Sequence, residues 1–269
     1  MFSILFIWYA IDTLRICFHY YEQSVIGNEV YYVINKSKTK KKVKKLILGD
    51  SVGNQLYPCE KYNDVVVSLA CNQAITLAGH FFLLINFIET NKDDLPDEVI
   101  LLINPFSLKN DVDHLAYQYF LKPFPINEYS SYYTEHLRSR IYTIPLYWSA
   151  YIPVIRVSNY TPKWAVPQNN SPKSISPLSC EYLLKMDSLT RMYNISFRMV
   201  STPVKDDRVD EMDCFWKELE LSPDNKEQLK ELLNAYKESV CFMPYSWFRD
   251  EVHFFSKNIP VDYLGILSE

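Results

Sequence analysis

Residues 46–56 read LILGDSVGNQL, an apolar run that stops at Gly-Asp-Ser and then changes character. Continuous apolar residues over 46–50 suit a strand buried on both faces, as in a parallel sheet. Gly49 permits a tight turn, Asp50 can brace it through hydrogen bonds to the backbone, and Ser51 falls at the start of a helix begun by VGNQLY. Helix-start amides then surround the Ser51 hydroxyl. A helix cap is the ordinary use of such a serine and, on this stretch alone, the simpler account. A nucleophile is the other use, because those N–H groups and the positive end of the helix dipole can stabilise an oxyanion beside it.

Moving outward, DVVVSLA at 64–70 and EVILLIN at 98–104 repeat the buried-strand pattern, and NQAITLAGHFFLLINFIETN at 72–91 between them has the length and apolar stripe of a crossover helix. NISFRMVSTPV at 194–204 reads as a fourth strand. The helical stretch 210–240 should break in two at Ser222-Pro223-Asp224. The fold class expected is α/β: a three-layer α/β/α arrangement around a parallel sheet. Residues 105–193 leave this rhythm and are crowded with Tyr and Pro, so they read as an insertion. Ligands of such folds bind at the carboxyl ends of the strands, which places an insertion after the third strand as a lid. Tyr132, Tyr133 and Trp148 are the aromatics expected to line the substrate cleft, although most aromatics of such a segment serve its own core.

Bulk properties bound the function. A chain of 269 residues at 48% hydrophobic content can bury one substantial core, and its formal charge of −4 argues against a general nucleic-acid binder. The basic run KSKTKKKVKK at 36–45 is local, a solvated flank of the first strand or a juxtamembrane segment. Six scattered cysteines without a CxxC pair suggest neither a zinc site nor a disulfide framework. No P-loop or dinucleotide fingerprint occurs, so no cofactor is expected. His80, between apolar neighbours, reads as a packed histidine, and NDVDH at 110–114 as a loop or helix start rather than a metal site.

Residues 1–21 are apolar up to Ile11 and then carry Asp12 and Arg15. Two readings stay open for them, a membrane anchor and an amphipathic packing helix. The division expected is 1–42 as N-terminal helix and basic linker, then a single domain over 43–269 with its insertion at about 105–193. Attachment at the cell envelope and a cytoplasmic location both remain compatible with this pattern.

Near the C-terminus MPYSWFRDEVHFF, at 243–255, places Asp250 three residues before His253. A serine hydroxyl becomes nucleophilic when a base takes its proton, and a carboxylate fixes the tautomer of that base. DxxH supplies both from one turn. The Gly-Asp-Ser turn after the first strand and the C-terminal DxxH, on a βαβ pattern, together resemble the SGNH or GDSL hydrolase superfamily. The resemblance implies a flavodoxin-like sheet, Ser51 as nucleophile, His253 as general base and Asp250 as orienting carboxylate. It also implies an oxyanion hole, for which Ala70, Asn72 and Gln73 are candidates in the turn SLACNQAI, and Asn104 or Asn110 in INPFSLKND, where the family's GxND block is replaced. The activity implied is a serine esterase or O-acyltransferase acting on acyl, chiefly acetyl, esters of carbohydrate, with an acylated carbohydrate or other small ester as partner. The alternative is a noncatalytic glycan-binding or envelope-assembly protein on the same fold.

Overall fold

The computed structural model describes residues 7, 10, 29–61, 65–72, 75–112, 123–143, 175–220 and 227–267. Helix α1 (Glu29–Ser37) leads into β1 (Lys45–Gly49), which turns at Asp50 into the short α2 (Ser51–Leu56). β2 (Val66–Ser68), the long α3 (Thr76–Thr90) and β3 (Glu98–Ile103) complete the first crossover units. The insertion contributes α4 (Ile126–Tyr129) and α5 (Glu135–Thr143), and α6 (Pro177–Met192) returns the chain to β4 (Ser196–Ser201). A two-residue strand β5 (Val204–Lys205), α7 (Val209–Glu220), α8 (Glu227–Glu238) and β6 (Phe242–Met243) follow.

The main sheet is parallel throughout, in the order β2-β1-β3-β4. β1, β2 and β3 are buried on both sides because both faces are covered there. Leu46 and Leu48 of β1, with Val99, Leu101 and Ile103 of β3, face a large core that also holds residues of α1, α3, α6, α7 and α8. Ile47, Ile100 and Leu102 face the other way, onto Val52 and Leu56 of α2 and onto Phe248, Phe254 and Ile266 of the C-terminal segment. The result is the three-layer α/β/α fold expected. Its second outer layer is α2 plus largely irregular chain. β2 is an edge strand, and its outer side is covered by Lys36, whose Nζ donates to the carbonyls of Ser68, at 3.0 Å, and of Cys59. Burial lowers the pKa of that lysine to about 8.

Strand and helix positions follow the sequence pattern with shifted ends. The crossover helix begins at Thr76 rather than 72, and the fourth strand stops at Ser201 before a separate β5. The helical stretch 210–240 divides into α7 and α8, and the residues joining them, 221–226, fall outside the described set. Residues 1–6 and 11–28 also fall outside it, so the N-terminal anchor expectation is not addressed. Among the described residues no helix is long and apolar enough to cross a membrane.

The insertion corrects one expectation. Tyr133 stacks on Phe82 of α3 at 5.8 Å and is buried, while Tyr132 meets Phe81 edge-on at 6.4 Å and accepts a hydrogen bond from Tyr182 on its carbonyl. Tyr129 stacks on the same Phe82 at 4.9 Å and its hydroxyl accepts from Asn86 at 3.0 Å. These rings therefore fill the layer built on α3 and α6, across the sheet from α2, and do not wall a cleft at Ser51. The reason is area: a buried aromatic ring contributes more to a core than it does on a wet lid. Trp148 lies outside the described residues.

The first turn depends on two glycines for a steric reason. A Cβ at Gly49 would stand 2.4 Å from the Leu102 carbonyl oxygen, and one at Gly53 would stand 2.6 Å from the same atom. α2 is thereby pressed directly on β3. Ala for Gly inside a helix normally adds about 0.5–1 kcal/mol, but here a backbone oxygen cannot give way. Gly53→Ala is expected to destabilise the protein, by about 1–3 kcal/mol as overpacking does, read as a lower urea midpoint with an unchanged slope.

Candidate active site

β1 delivers Asp50 to its carboxyl end, where the side chain is almost fully buried, at 1% exposure. Its Oδ1 accepts from the N–H groups of Val52 and Gly53, each at 3.0 Å, which caps α2. Its Oδ2 accepts from the Asn104 N–H at 2.7 Å and the Ser107 hydroxyl at 2.6 Å, in the turn after β3. One carboxylate thus joins the ends of two neighbouring strands. Asp50, rather than Ser51, is the helix cap. Released from capping, Ser51 stands half-buried at the first position of α2.

The partner of Ser51 comes from 202 residues further on: His253 Nε2 lies 2.8 Å from its Oγ. His253 Nδ1 lies 3.0 Å from both oxygens of Asp250. The loop carrying them is not helical. Phe248 and Phe254 pair as an antiparallel bridge, stack at 4.5 Å and are both buried, and the Arg249 N–H donates to the His253 carbonyl at 2.8 Å. Two buried rings therefore staple a tight loop whose tip presents Asp250 and His253. Gln55 of α2 fixes that loop to the helix, donating from Nε2 to the Phe254 carbonyl at 3.3 Å and accepting the Phe254 N–H on Oε1 at 3.0 Å. Because Gln55 is one turn beyond Ser51, the same helix face positions the hydroxyl and the imidazole.

Burial works to raise the Asp250 pKa, but the N–H groups of His253 and Val252 and the imidazole outweigh it and hold the carboxyl below its ordinary value. The amide donors reach Oδ1 at 2.8 and 3.0 Å. Asp250 is thus ionised at neutral pH and accepts from Nδ1, which leaves Nε2 with a free lone pair toward Ser51. Ser51, His253 and Asp250 are brought together as a hydroxyl, an imidazole and a carboxylate.

The expected oxyanion donors are placed otherwise. The Ala70 N–H donates to Ser68 Oγ at 3.2 Å. The Asn72 N–H donates to the Glu29 carboxylate. Asn104 accepts the Phe106 N–H on Oδ1 at 3.1 Å and donates from Nδ2 to Thr202 at 3.4 Å, so its side chain caps a turn. Asn110 offers its carbonyl to Ser176 at 2.7 Å. Gln73 lies outside the described residues. By taking the amides of Val52 and Gly53, Asp50 leaves over the N–H of Ser51 itself, at the start of α2.

Gln55, Ser107 and Glu29 were not singled out from sequence. Ser107 lies in the turn after a buried strand, a place where a polar residue is ordinary. Gln55 shares the Ser51 face of α2, a signal that becomes readable once the helix is placed. His80 is buried with Nδ1 unpartnered among the described residues, and burial lowers its pKa to about 3. It stays neutral within the α3 layer. Asp111 pairs with His136 at 3.0 Å, while Asp113 and His114 fall outside the described set. Among the described residues no three His, Cys, Asp or Glu side chains gather as a metal site would. A cavity of about 530 Å³ opens beyond Gln55, between Leu56, Tyr57, Val66, Ile259 and Pro260. Neither Ser51 nor His253 lines it, so a reacting ester group would not lie inside it.

Two outcomes are expected here. Asp50→Asn turns an NH2 toward N–H and O–H donors, and with charged hydrogen bonds contributing about 1.5–3 kcal/mol each, stability should fall by at least about 2 kcal/mol in chemical unfolding. For Asp250, the depressed folded pKa means its stabilising contribution is present above the ordinary 3.8 and is lost as pH falls through the lower folded value. A carboxyl-carbon NMR titration should therefore give a midpoint below 3.8 for Asp250. The stability difference between wild type and Asp250→Asn should shrink only in acid.

No family model matches this chain, and no curated protein matches it. Among solved structures, one from Streptococcus pneumonia, described provisionally as a platelet activating factor, is similar over 86% of this chain and 87% of its own, at 14% identity and a TM-score of 0.37.

Proposed function

We propose that the chain is a serine esterase or O-acyltransferase of the SGNH type, with Ser51, His253 and Asp250 as its triad. The observation that carries this reading is the 2.8 Å approach of His253 Nε2 to Ser51 Oγ, with Asp250 on the other ring nitrogen. Hydrogen-bond reach of the nucleophile is the first requirement of a general base. Ser51 Oγ attacks the ester carbonyl while its proton passes to His253 Nε2. The imidazolium, held by Asp250, returns that proton to the departing alcohol oxygen as the C–O bond breaks. The acyl-enzyme is then attacked by water or by an acceptor hydroxyl, whose proton goes to Nε2 and finally back to Ser51. The N–H of Ser51, at the start of α2, is the donor left for the developing oxyanion, while that of Asn72 is held by Glu29.

Acyl esters of carbohydrate remain the substrate class inferred from the resemblance of the GDS and DxxH blocks. Attachment to a membrane through residues 1–21 belongs to the same inference. A noncatalytic binding role is the second reading, favoured by one observation: Ala70 and Asn72 amides and the Asn104 side chain are all engaged elsewhere. The absence of one oxyanion donor costs about 2.7–4 kcal/mol of transition-state stabilisation.

A fluorophosphonate separates the two. It should label the wild-type protein at Ser51, identified by peptide mass, and Ser51→Ala or His253→Ala should abolish labelling with the melting temperature retained. A folded protein that stays unlabelled and leaves an aryl acetate intact would establish the noncatalytic role. Labelling without hydrolysis in water would favour transfer to a hydroxyl acceptor.

A further inference from the structure

The N-terminus of α1 places a carboxylate beside the candidate site that the triad does not use. Glu29 accepts from Asn54 Nδ2 at 3.0 Å and from the Asn72 N–H. Both donors belong to elements joined to the turn at Ser51. Asn54 is three residues beyond it on α2, hence on the same helix face. Asn72 follows Cys71, whose N–H donates at 2.9 Å to the carbonyl of Gly49, two residues before Ser51. The Cys71 thiol is close enough to both Glu29 and Asp50 for both charges to act on it. Two N–H donors converging on an anion next to a nucleophilic hydroxyl are the arrangement that a tetrahedral oxyanion needs.

We propose that Glu29 is an internal plug: its carboxylate occupies the Asn72 and Asn54 donors beside Ser51, and the site becomes competent when that carboxylate is neutralised or displaced. This rests on the serine-hydrolase reading of Ser51. While Glu29 is ionised, it holds a donor that the transition state requires, and its charge repels the oxyanion. Once it is protonated or moved, the donors are free to turn to a substrate.

The surroundings favour a plug that releases readily. Burial raises the Glu29 pKa, the hydrogen bonds from Asn72 and Asn54 work in the opposite direction, and the charge of Glu60 adds to the increase. The neighbouring thiols add no charge at neutral pH, since burial pushes Cys59 up to about 12 and Cys71 well above its ordinary value. Asp50 faces the same region from the end of β1, and Lys36, further along α1, sends its ammonium to the Cys59 and Ser68 carbonyls instead. The hydrogen bonds that lower the Glu29 pKa come from the amides of Asn72 and Asn54.

The test compares fluorophosphonate labelling rates of the full chain, wild type against Glu29→Ala and Glu29→Gln, in a pH series run from neutral into acid. The plug predicts faster labelling of Glu29→Ala at neutral pH, on the order of tenfold, as for partial recovery of one oxyanion donor. The ratio to wild type should fall toward one in acid, where wild-type Glu29 is itself protonated. Acetate should refill the vacated donors, slowing Glu29→Ala and leaving wild type unaffected at the same pH. A folded Glu29→Ala labelled no faster than wild type, or faster by the same factor at every pH without sensitivity to acetate, would overturn the plug while leaving the serine reading intact. Should Glu29→Ala not fold, the pH dependence of the Glu29→Gln ratio decides by the same criterion. Absence of labelling in all three folded proteins would overturn both readings together.

Discussion

The Asp50 carboxylate is the constraint on which this site depends. Four donors from two elements converge on one side chain buried at the carboxyl end of β1. A charge so buried is tolerable because every lone-pair direction is used. Its two oxygens divide the work. Oδ1 sets where α2 begins, and Oδ2 sets how far the turn after β3 stands from that helix. The glycines at 49 and 53 allow the approach, since the Leu102 carbonyl lies where their Cβ atoms would be. Ser51 takes its position from this junction without being needed for the cap, and its hydroxyl is left over for chemistry.

Polar donors at the carboxyl end of the sheet serve two competing demands. Those that hold loops together cannot at the same time receive an oxyanion. Ala70 and Asn104 are committed to Ser68 and Thr202, contacts within the scaffold. Asn72 is committed to Glu29, a residue from a different element that enters the site from the side. On the proposed serine-hydrolase reading the Ser51 amide is the donor open to an oxyanion, and the Asn72 amide would join it only with Glu29 displaced.

Continuous apolar runs were sufficient to locate the first three strands of the main sheet and the crossover helix, because a sheet covered on both faces imposes its burial directly on the sequence. Gly-Asp-Ser and DxxH were legible for a related reason: each is a local turn whose residues are neighbours in the chain. What joins them was not legible. Gln55 and Phe254 meet across 199 residues, and neither carries a local signature. Glu29 lies before the first strand, in a stretch that carries no motif, and its contact with Asn72 appears only once α1 is laid against the turn after β2. Tyr132 and Tyr133 were misplaced because an aromatic residue in an insertion has the same sequence signature whether it lines a cleft or packs on Phe81 and Phe82. Burial, not composition, separates these cases.

The three carboxylates at this end of the sheet differ in how they are held, and that difference follows from what each can do. Asp50 is enclosed by four donors and can neither move nor be replaced without loss of the turn. Asp250 has a side chain 47% exposed, on a loop held by the Phe248–Phe254 pair, and its amides and imidazole keep it charged. Exposure costs it little, because its work is to orient one ring nitrogen, and two amides of its own loop fix its direction. Glu29 alone is held by donors from α2 and from the turn after β2 while burial favours its neutral form. Burial thus works against the Glu29 charge while amides from two other elements hold it, so on the proposed reading control of this site by pH or by a competing anion would act through Glu29.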